Sequence, residues 1–186
     1  MRAIIRGVYH QMVKLIWLAL RPIMRGRLKV ANSRIAITCS RVDGGGAQLH
    51  GRISTLAFAR EFGLAYVHTP IYQLNVDGSE SDIERWNEVL HLEKLAVAES
   101  SDFNVVRVNT LRTLVYWILF RADRLDGVCF EVSHCHRYTD RFLESIVRLQ
   151  PELRKILGPS IRFDSPIHWD SVVHVRGRVN GDEGVS

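Results

Sequence analysis

Cysteine, early acidic charge and long hydrophobic runs are all scarce in this chain of 186 residues. Three cysteines, an odd number without paired spacing, fit a reducing compartment better than a disulfide framework. The longest uncharged run of the first segment, residues 15–20, is far shorter than the ~20 residues that span a bilayer. No small-residue cleavage site follows it, so a secretory signal is disfavoured. Cys39 and Cys129 lie in apolar runs and are expected in the core.

Acidic residues are absent from the first 29 positions, which hold seven basic residues: Arg2, Arg6, Lys14, Arg21, Arg25, Arg27 and Lys29. The remaining 18 basic and 20 acidic residues give a net charge of −2, against +5 for the whole chain. The basic character therefore belongs to the N-terminal segment. The body lacks the basic surface that nucleic-acid binding requires, and no nucleic-acid partner is expected.

The N-terminal segment, taken as 1–33, has the pattern of a basic amphipathic helix. Pro22 predicts a kink or a stop in it. Trp17 falls on the basic side, which suits an interface better than a core. The helix either packs its apolar face on the protein or attaches to an anionic membrane surface on the cytoplasmic side. The apolar side of the helical wheel holds Ile4, Ile5, Val8, Met12, Leu15, Ile16, Ala19 and Ile23.

Residues 34–186 alternate short apolar runs with segments of helical periodicity, which predicts an α/β domain with a mostly parallel sheet. The pattern predicts a three-layer, Rossmann-like arrangement. Gly63 is expected to end the first helix of this domain at its C′ position. Strands are predicted at 34–40, 64–68, 104–108, 127–132 and 171–176, and helices at 49–62, 81–90, 110–121 and 138–157.

A glycine-rich loop follows the first predicted strand and runs directly into a helix. Strand, glycine turn and helix together present unpaired backbone N–H groups at the helix start, where the helix dipole favours a phosphate. The loop lacks the Gly-Lys-Ser/Thr of a Walker loop and the third glycine of a dinucleotide fingerprint. A tight structural turn is the alternative. The loop reads Asp43-Gly44-Gly45-Gly46-Ala47-Gln48.

Three motifs in order over residues 34–182 resemble those of the GDP-fucose-dependent fucosyltransferase superfamily. The Gly44–Gln48 loop, followed by Phe58-Ala59-Arg60, resembles the family's Gly-rich loop and helix, with Ala47 where the family usually has asparagine. The segment 149–154 resembles the stretch that precedes the next motif. His174-Val175-Arg176 then falls where the family's H-x-R motif is expected.

The resemblance implies a GT-B fold, of which this chain corresponds to the N-terminal half, with a C-terminal half supplied by missing sequence or in trans. It implies transfer of a sugar from a nucleotide donor, GDP-fucose, to a cell-surface glycan, without a metal. Arg176 would be the catalytic contact to the donor diphosphate, because a guanidinium grips phosphate oxygens and neutralises a departing GDP. The other implied donor-binding residues are Gly45, Gly46, Gln48, His174, Arg178 and Asp182.

Two other functions stay open beside a glycosyltransferase: a non-catalytic module that binds a sugar nucleotide or a partner, and an inactive remnant. His134-Cys135-His136 invites a metal site, because alternate residues of a strand share one face. The sequence places no second cluster of ligands that would complete such a site. Glu131, Asp140 and Glu144 are candidates for a general base, and the sequence singles out none of them.

Overall fold

The computed structural model describes residues 2–31, 33–42, 44–74, 80–135, 138–139 and 142–157. The predicted strand at 171–176 lies outside these residues. Short 3₁₀ turns occur at Leu92–Leu95, Ser100–Asp102 and Ala122–Arg124. The helices are α1 (Arg2–Ala31), α2 (Gly45–Phe62), α3 (Glu80–Leu90), α4 (Leu111–Arg121) and α5 (Leu143–Leu157), and the strands are β1 (Ile35–Cys39), β2 (Ala65–Tyr66), β3 (Asn104–Thr110) and β4 (Val128–His134).

The four described strands form one sheet in the order β2-β1-β4-β3, and every pairing is parallel. Ile37 of β1 lies between Tyr66 of β2 and Phe130 of β4, which makes β1 and β4 the central strands. The predicted α/β class with a parallel sheet is confirmed, and the arrangement is Rossmann-like.

The two faces of the sheet carry different clusters, as the two-residue period of a strand requires. Ile37, Phe130 and Val132 face the main core with α1, α2, α4 and α5. Ala36 and Cys129 face the other side, where Val67, Ala98 and Phe103 complete a second, smaller cluster. Helices α1, α2, α4 and α5 thus cover one face of the sheet and the connection 98–103 lies against the other, which is consistent with the predicted three-layer arrangement.

Helix α2 ends where the sequence predicts. Gly63 adopts the left-handed conformation (φ 69°), and its N–H bonds the Ala59 carbonyl, as does the N–H of Leu64. A side chain with a Cβ is strained at this φ, which is why glycine closes the helix. The chain then turns into β2, only three residues after Phe62.

Helix α1 packs in an orientation opposite to the one its amphipathic pattern suggests. Trp17 is 7% exposed and makes edge contacts with Phe58 and Phe142, and Met24 is fully buried. The expectation that Trp17 belongs to an interface is therefore wrong, because its ring joins the aromatic cluster of the core. The helix continues through the exposed Pro22 to Ala31 without stopping.

A buried carboxylate holds the N-terminal segment onto the rest of the protein. Glu61 of α2 accepts hydrogen bonds from Arg25 of α1 at 2.6 Å and from Arg148 of α5 at 2.9 Å. The Nε of the buried Arg21 lies 3.8 Å from the same carboxylate. The segment 1–33 is thus packed against the domain through charge pairing as well as through Trp17. None of the described helices is long and apolar enough to cross a bilayer.

Four predicted helix starts differ in the structure. Helix α2 begins at Gly45 rather than at Leu49, so residues 45–48 of the predicted loop are helical, and α4 begins at Leu111 rather than at Thr110. Helix α3 begins at Glu80, one residue before the predicted start at Ser81. Helix α5 begins at Leu143 rather than at Tyr138, because Tyr138 belongs to a separate turn in which its N–H donates to the Cys135 carbonyl. At the start of α5, the Ser145 N–H donates to the Phe142 carbonyl. These differences in helix start concern local hydrogen bonds at helix ends, which hydrophobic periodicity does not determine.

Candidate functional site

The candidate site lies at the carboxyl edge of the parallel sheet. Strand β1 ends at Cys39 and β4 ends at His134, and these central strands deliver the chain into the loop before α2 and into Cys135. Ligands of open α/β sheets bind in the crevice outside this edge. The residues that surround the start of α2 are therefore the ones whose geometry matters for function.

The glycine loop caps helix α2 with backbone alone. Gly44 is the N-cap (φ −59°, ψ 149°), and its carbonyl accepts hydrogen bonds from the N–H groups of Ala47 and Gln48. No acidic residue stands in the first turn of this helix, so the positive end of its dipole is not neutralised from within the helix.

The two predicted glycines, Gly45 and Gly46, have different surroundings. A Cβ on Gly45 would lie 2.6 Å from Cε2 of Trp86, so glycine at this position allows α3 to pack against the start of α2. A Cβ on Gly46 would meet nothing within 4 Å. Gly45 therefore has a packing role, whereas Gly46 leaves the backbone open to an approaching ligand.

Gln48, the third predicted residue of the loop, is buried rather than directed into an open cleft. Its side-chain amide donates to the Gln73 carbonyl at 2.6 Å, and its Oε1 lies 3.3 Å from Nη1 of Arg52. With 1% exposure, Gln48 ties α2 to the segment after β2. In the described structure, Gln48 supports the candidate site from the buried side of α2.

Arg52 is the most unusual side chain of this edge, and sequence reasoning missed it. It is 1% exposed, and its Nε and Nη2 donate to the carbonyls of Thr69 (2.8 Å) and Pro70 (2.9 Å), while Nη1 donates to the Gln48 carbonyl at 3.2 Å. These partners are neutral oxygens, and burial lowers the pKa of the guanidinium. The available signal for this role was that Arg52 is a basic residue on the face of α2 that lies toward the Thr69-Pro70 turn.

Two thiols meet beside Arg52. The Cys135 Sγ lies 3.6 Å from the Cys39 Sγ and 3.1 Å from the Gly51 carbonyl, and the Thr55 hydroxyl donates to Cys135 at 2.9 Å. The hydrogen bond from Cys135, the Arg41 backbone and the charge of Arg52 outweigh burial and lower the pKa of Cys39 to about 7. The same bond and burial raise the pKa of Cys135.

Histidines at this edge are held by neutral partners. The Nε2 of His50 lies 2.8 Å from the Thr139 hydroxyl, which also lies 2.7 Å from the Ser54 hydroxyl. Burial and the charge of Arg52 lower the pKa of His68 to about 4, so this imidazole is neutral at pH 7. The tyrosine beside it, Tyr66, is also kept in its neutral form, because burial raises its pKa.

The terminal motif predicted from the resemblance, His174, Arg176, Arg178 and Asp182, lies outside the described residues, and so do Asp140 and His136. Of the other base candidates, Glu131 pairs with Arg107 at 3.1 Å, and Glu144 lies 3.6 Å from Nη2 of Arg21. Among the described residues, no three His, Cys, Asp or Glu side chains are grouped to hold a metal.

The fold and this edge define a Rossmann-like α/β domain in which a glycine-capped helix carries a buried arginine, Arg52. No protein-family model, curated protein or solved structure matches the chain. The structural features of the edge, and the sequence motifs, therefore carry the functional argument.

Replacing Arg52 with leucine should strongly destabilise the protein, since it removes the hydrogen bonds that this fully buried side chain donates to the carbonyls of Gln48, Thr69 and Pro70. We expect the free energy of unfolding to fall by about 3 kcal/mol in urea denaturation. Arg60→Leu on the same helix is the matched control, because it breaks an exposed pair with Glu152 and should cost about 1 kcal/mol or less. Equal losses in the two variants would contradict the role of Arg52.

Gly45→Ala and Gly46→Ala should change stability in opposite directions. The new methyl group at position 45 collides with Trp86, so we expect a loss of about 1–3 kcal/mol and a shift in tryptophan fluorescence. The methyl group at position 46 meets open space and restricts the unfolded chain, so we expect a gain of up to about 1 kcal/mol. Thermal melts of both variants measure this, and a stable Gly45→Ala protein would refute the packing role.

The Cys39 thiolate should make stability depend on pH. Because the folded pKa of about 7 lies below the ordinary thiol pKa of 9.0, the thiolate's contribution is complete above pH 9 and is lost as the pH falls through 7. Relative to Cys39→Ser, the wild type should gain about 1–2 kcal/mol in free energy of unfolding between about pH 6.5 and 8.5.

Cys129→Ser is the control for this measurement. Burial, with a contribution from Glu131, raises the pKa of Cys129 to about 11, so its protonation does not change in the same range. The stability difference between Cys129→Ser and the wild type should therefore stay flat, because both proteins keep Cys39 and its contribution cancels. A flat difference for Cys39→Ser as well would show that Cys39 does not ionise near neutral pH.

Proposed function

We propose that this chain is a fucosyltransferase-like protein that binds a nucleotide sugar, GDP-fucose, and serves transfer of the sugar to a glycan acceptor. The reducing compartment expected from its cysteines places the proposed activity on the cytoplasmic side of the membrane. The proposal combines the motif order of the sequence with one structural observation, the open start of helix α2.

That observation carries the proposal. Helix α2 starts directly after the central strand β1, its first turn holds no acidic residue, and Gly46 leaves the backbone open. Backbone N–H groups and the helix dipole at such a start favour a diphosphate. The buried charge of Arg52, six residues after Gly46 on this same helix, adds to the preference for an anion.

The chemistry of transfer explains which residues would act on the donor. Breaking the bond between the sugar and GDP leaves negative charge on the diphosphate, and groups that bind this charge in the transition state accelerate the step. We assign Arg176 to this contact, with His174, Arg178 and Asp182 shaping the same site and Gly45, Gly46 and Gln48 forming the loop. A C-terminal half, in the same protein or in trans, would complete the cleft and supply further donor contacts.

A non-catalytic binding module is the second candidate. The packing roles of Gly45 and Gln48 favour it over a transferase, because their contacts with Trp86 and with the Gln73 carbonyl account for these two motif residues without a catalytic role. Release of GDP from GDP-fucose in the presence of glycan acceptors separates the two: a transferase turns the donor over, whereas a module binds it unchanged.

A carboxylate placed at the start of α2 should abolish donor binding without harming the fold. In Gly46→Glu the new side chain has open space and a favourable helix dipole, so stability should not fall, but its charge repels a diphosphate. We expect the Kd for GDP-fucose, measured by calorimetry, to rise at least about tenfold.

Gly46→Gln is the control, since it has the same size and no charge, and its Kd should change by less than about threefold. GDP and inorganic phosphate, titrated in parallel, report whether the nucleotide contributes to binding. Equal affinities of the Glu and Gln variants for GDP-fucose would remove the diphosphate from the start of α2. No binding by the wild type would leave the loop as a structural turn.

A further inference from the structure

Helix α1 carries an apolar stripe that faces away from the protein. Each of its residues is more than half exposed, although all are apolar. We call this stripe the outer face; it consists of Val8, Met12, Leu15, Ile16, Ile23 and Val30.

The outer face lies opposite the side of α1 that packs on the core. Trp17, Met24 and Arg21 are buried on the inner side, and at 100° per residue they fall across the helix from Met12, Leu15 and Ile23. The helix is therefore apolar on both sides. No element in the described part of the chain covers the outer face. Soluble monomers rarely leave such a continuous apolar strip exposed.

Positive charge flanks the C-terminal part of the outer face. Lys29 and Arg27 are exposed on its two flanks, and residues 1–29 contain no acidic residue. Arg25, beside Lys29, has a side chain that is half exposed although it binds Glu61. The exposed flanks are therefore cationic, which makes an anionic surface the complementary partner.

Exposed aromatic side chains extend the surface onto α4, which packs beside α1. Tyr9 of α1 accepts a hydrogen bond from Arg112 of α4 at 3.0 Å. On α4 and the turn after it, Tyr116 and Trp117 line a shallow cleft with Arg121 and Arg124, and Phe120 is 63% exposed. Aromatic rings edged by arginine suit the boundary between lipid headgroups and acyl chains.

We infer that the outer face of α1 docks on an anionic lipid surface, with the helix lying in the plane of the membrane. The apolar stripe enters the acyl boundary, while the basic flanks contact the headgroups. A protein partner fits less well, because the stripe is long, lacks polar side chains among its six members and has no acidic residue in its segment. This inference is independent of the proposed sugar-nucleotide site.

Flotation of the full chain with lipid vesicles tests the inference. The vesicles are phosphatidylcholine alone or phosphatidylcholine with about 30% phosphatidylglycerol. We expect binding to the anionic vesicles, weakened by raising the salt from about 0.1 M to about 0.5 M. In the double variant Leu15→Gln/Ile23→Gln, we expect the fraction bound to fall at least about tenfold, because two apolar side chains that enter the lipid are lost.

Val97→Gln/Val147→Gln is the matched control, since these valines are 59% and 57% exposed elsewhere on the protein and should not affect binding. Circular dichroism and a thermal melt verify that both double variants fold. Binding that survives Leu15→Gln/Ile23→Gln would overturn the insertion of the outer face. Absence of vesicle binding would overturn the lipid partner. A dimer that dissociates in Leu15→Gln/Ile23→Gln but not in the control variant would overturn it as well.

Discussion

The carboxyl edge of the sheet depends on one buried guanidinium. Arg52 joins helix α2 to the Thr69-Pro70 turn after β2 through carbonyl oxygens, and it holds Gln48 in place. Without these bonds, the Thr69 and Pro70 carbonyls would lose their donors within the protein, and α2 would lose its fixed position over the strands. The open start of the helix at Gly46 is thus positioned by an interaction one turn and a half further along the same helix.

The charge of Arg52 also sets the protonation of its neighbours. It contributes to the low pKa of the Cys39 thiol, and together with burial it keeps His68 neutral. The Cys39 thiolate partly offsets the buried positive charge, and Cys135 stabilises that thiolate by a hydrogen bond.

Local patterns predicted the elements of the fold well. The strand before the glycine loop, the helix that Gly63 ends and the strands at β3 and β4 all form where apolar runs and turn residues indicate. The same patterns failed for helix α1, because a helix with two apolar sides can pack by either. Its aromatic contacts from Trp17 to Phe58 and Phe142, and the Glu61 carboxylate, select the side that enters the core.

The α/β class, the end of α2 at Gly63 and the basic charge of the N-terminal segment follow from local spacing and composition, so the sequence alone decides them. The start of α2 at Gly45, four residues before the predicted Leu49, does not follow from them. Tertiary structure alone decided that Gln48 is buried, that Gly45 accommodates Trp86, and that Cys39 meets Cys135. These pairings join residues that are distant in the chain. No periodicity encodes them, because they arise only when the strands and helices pack into one core.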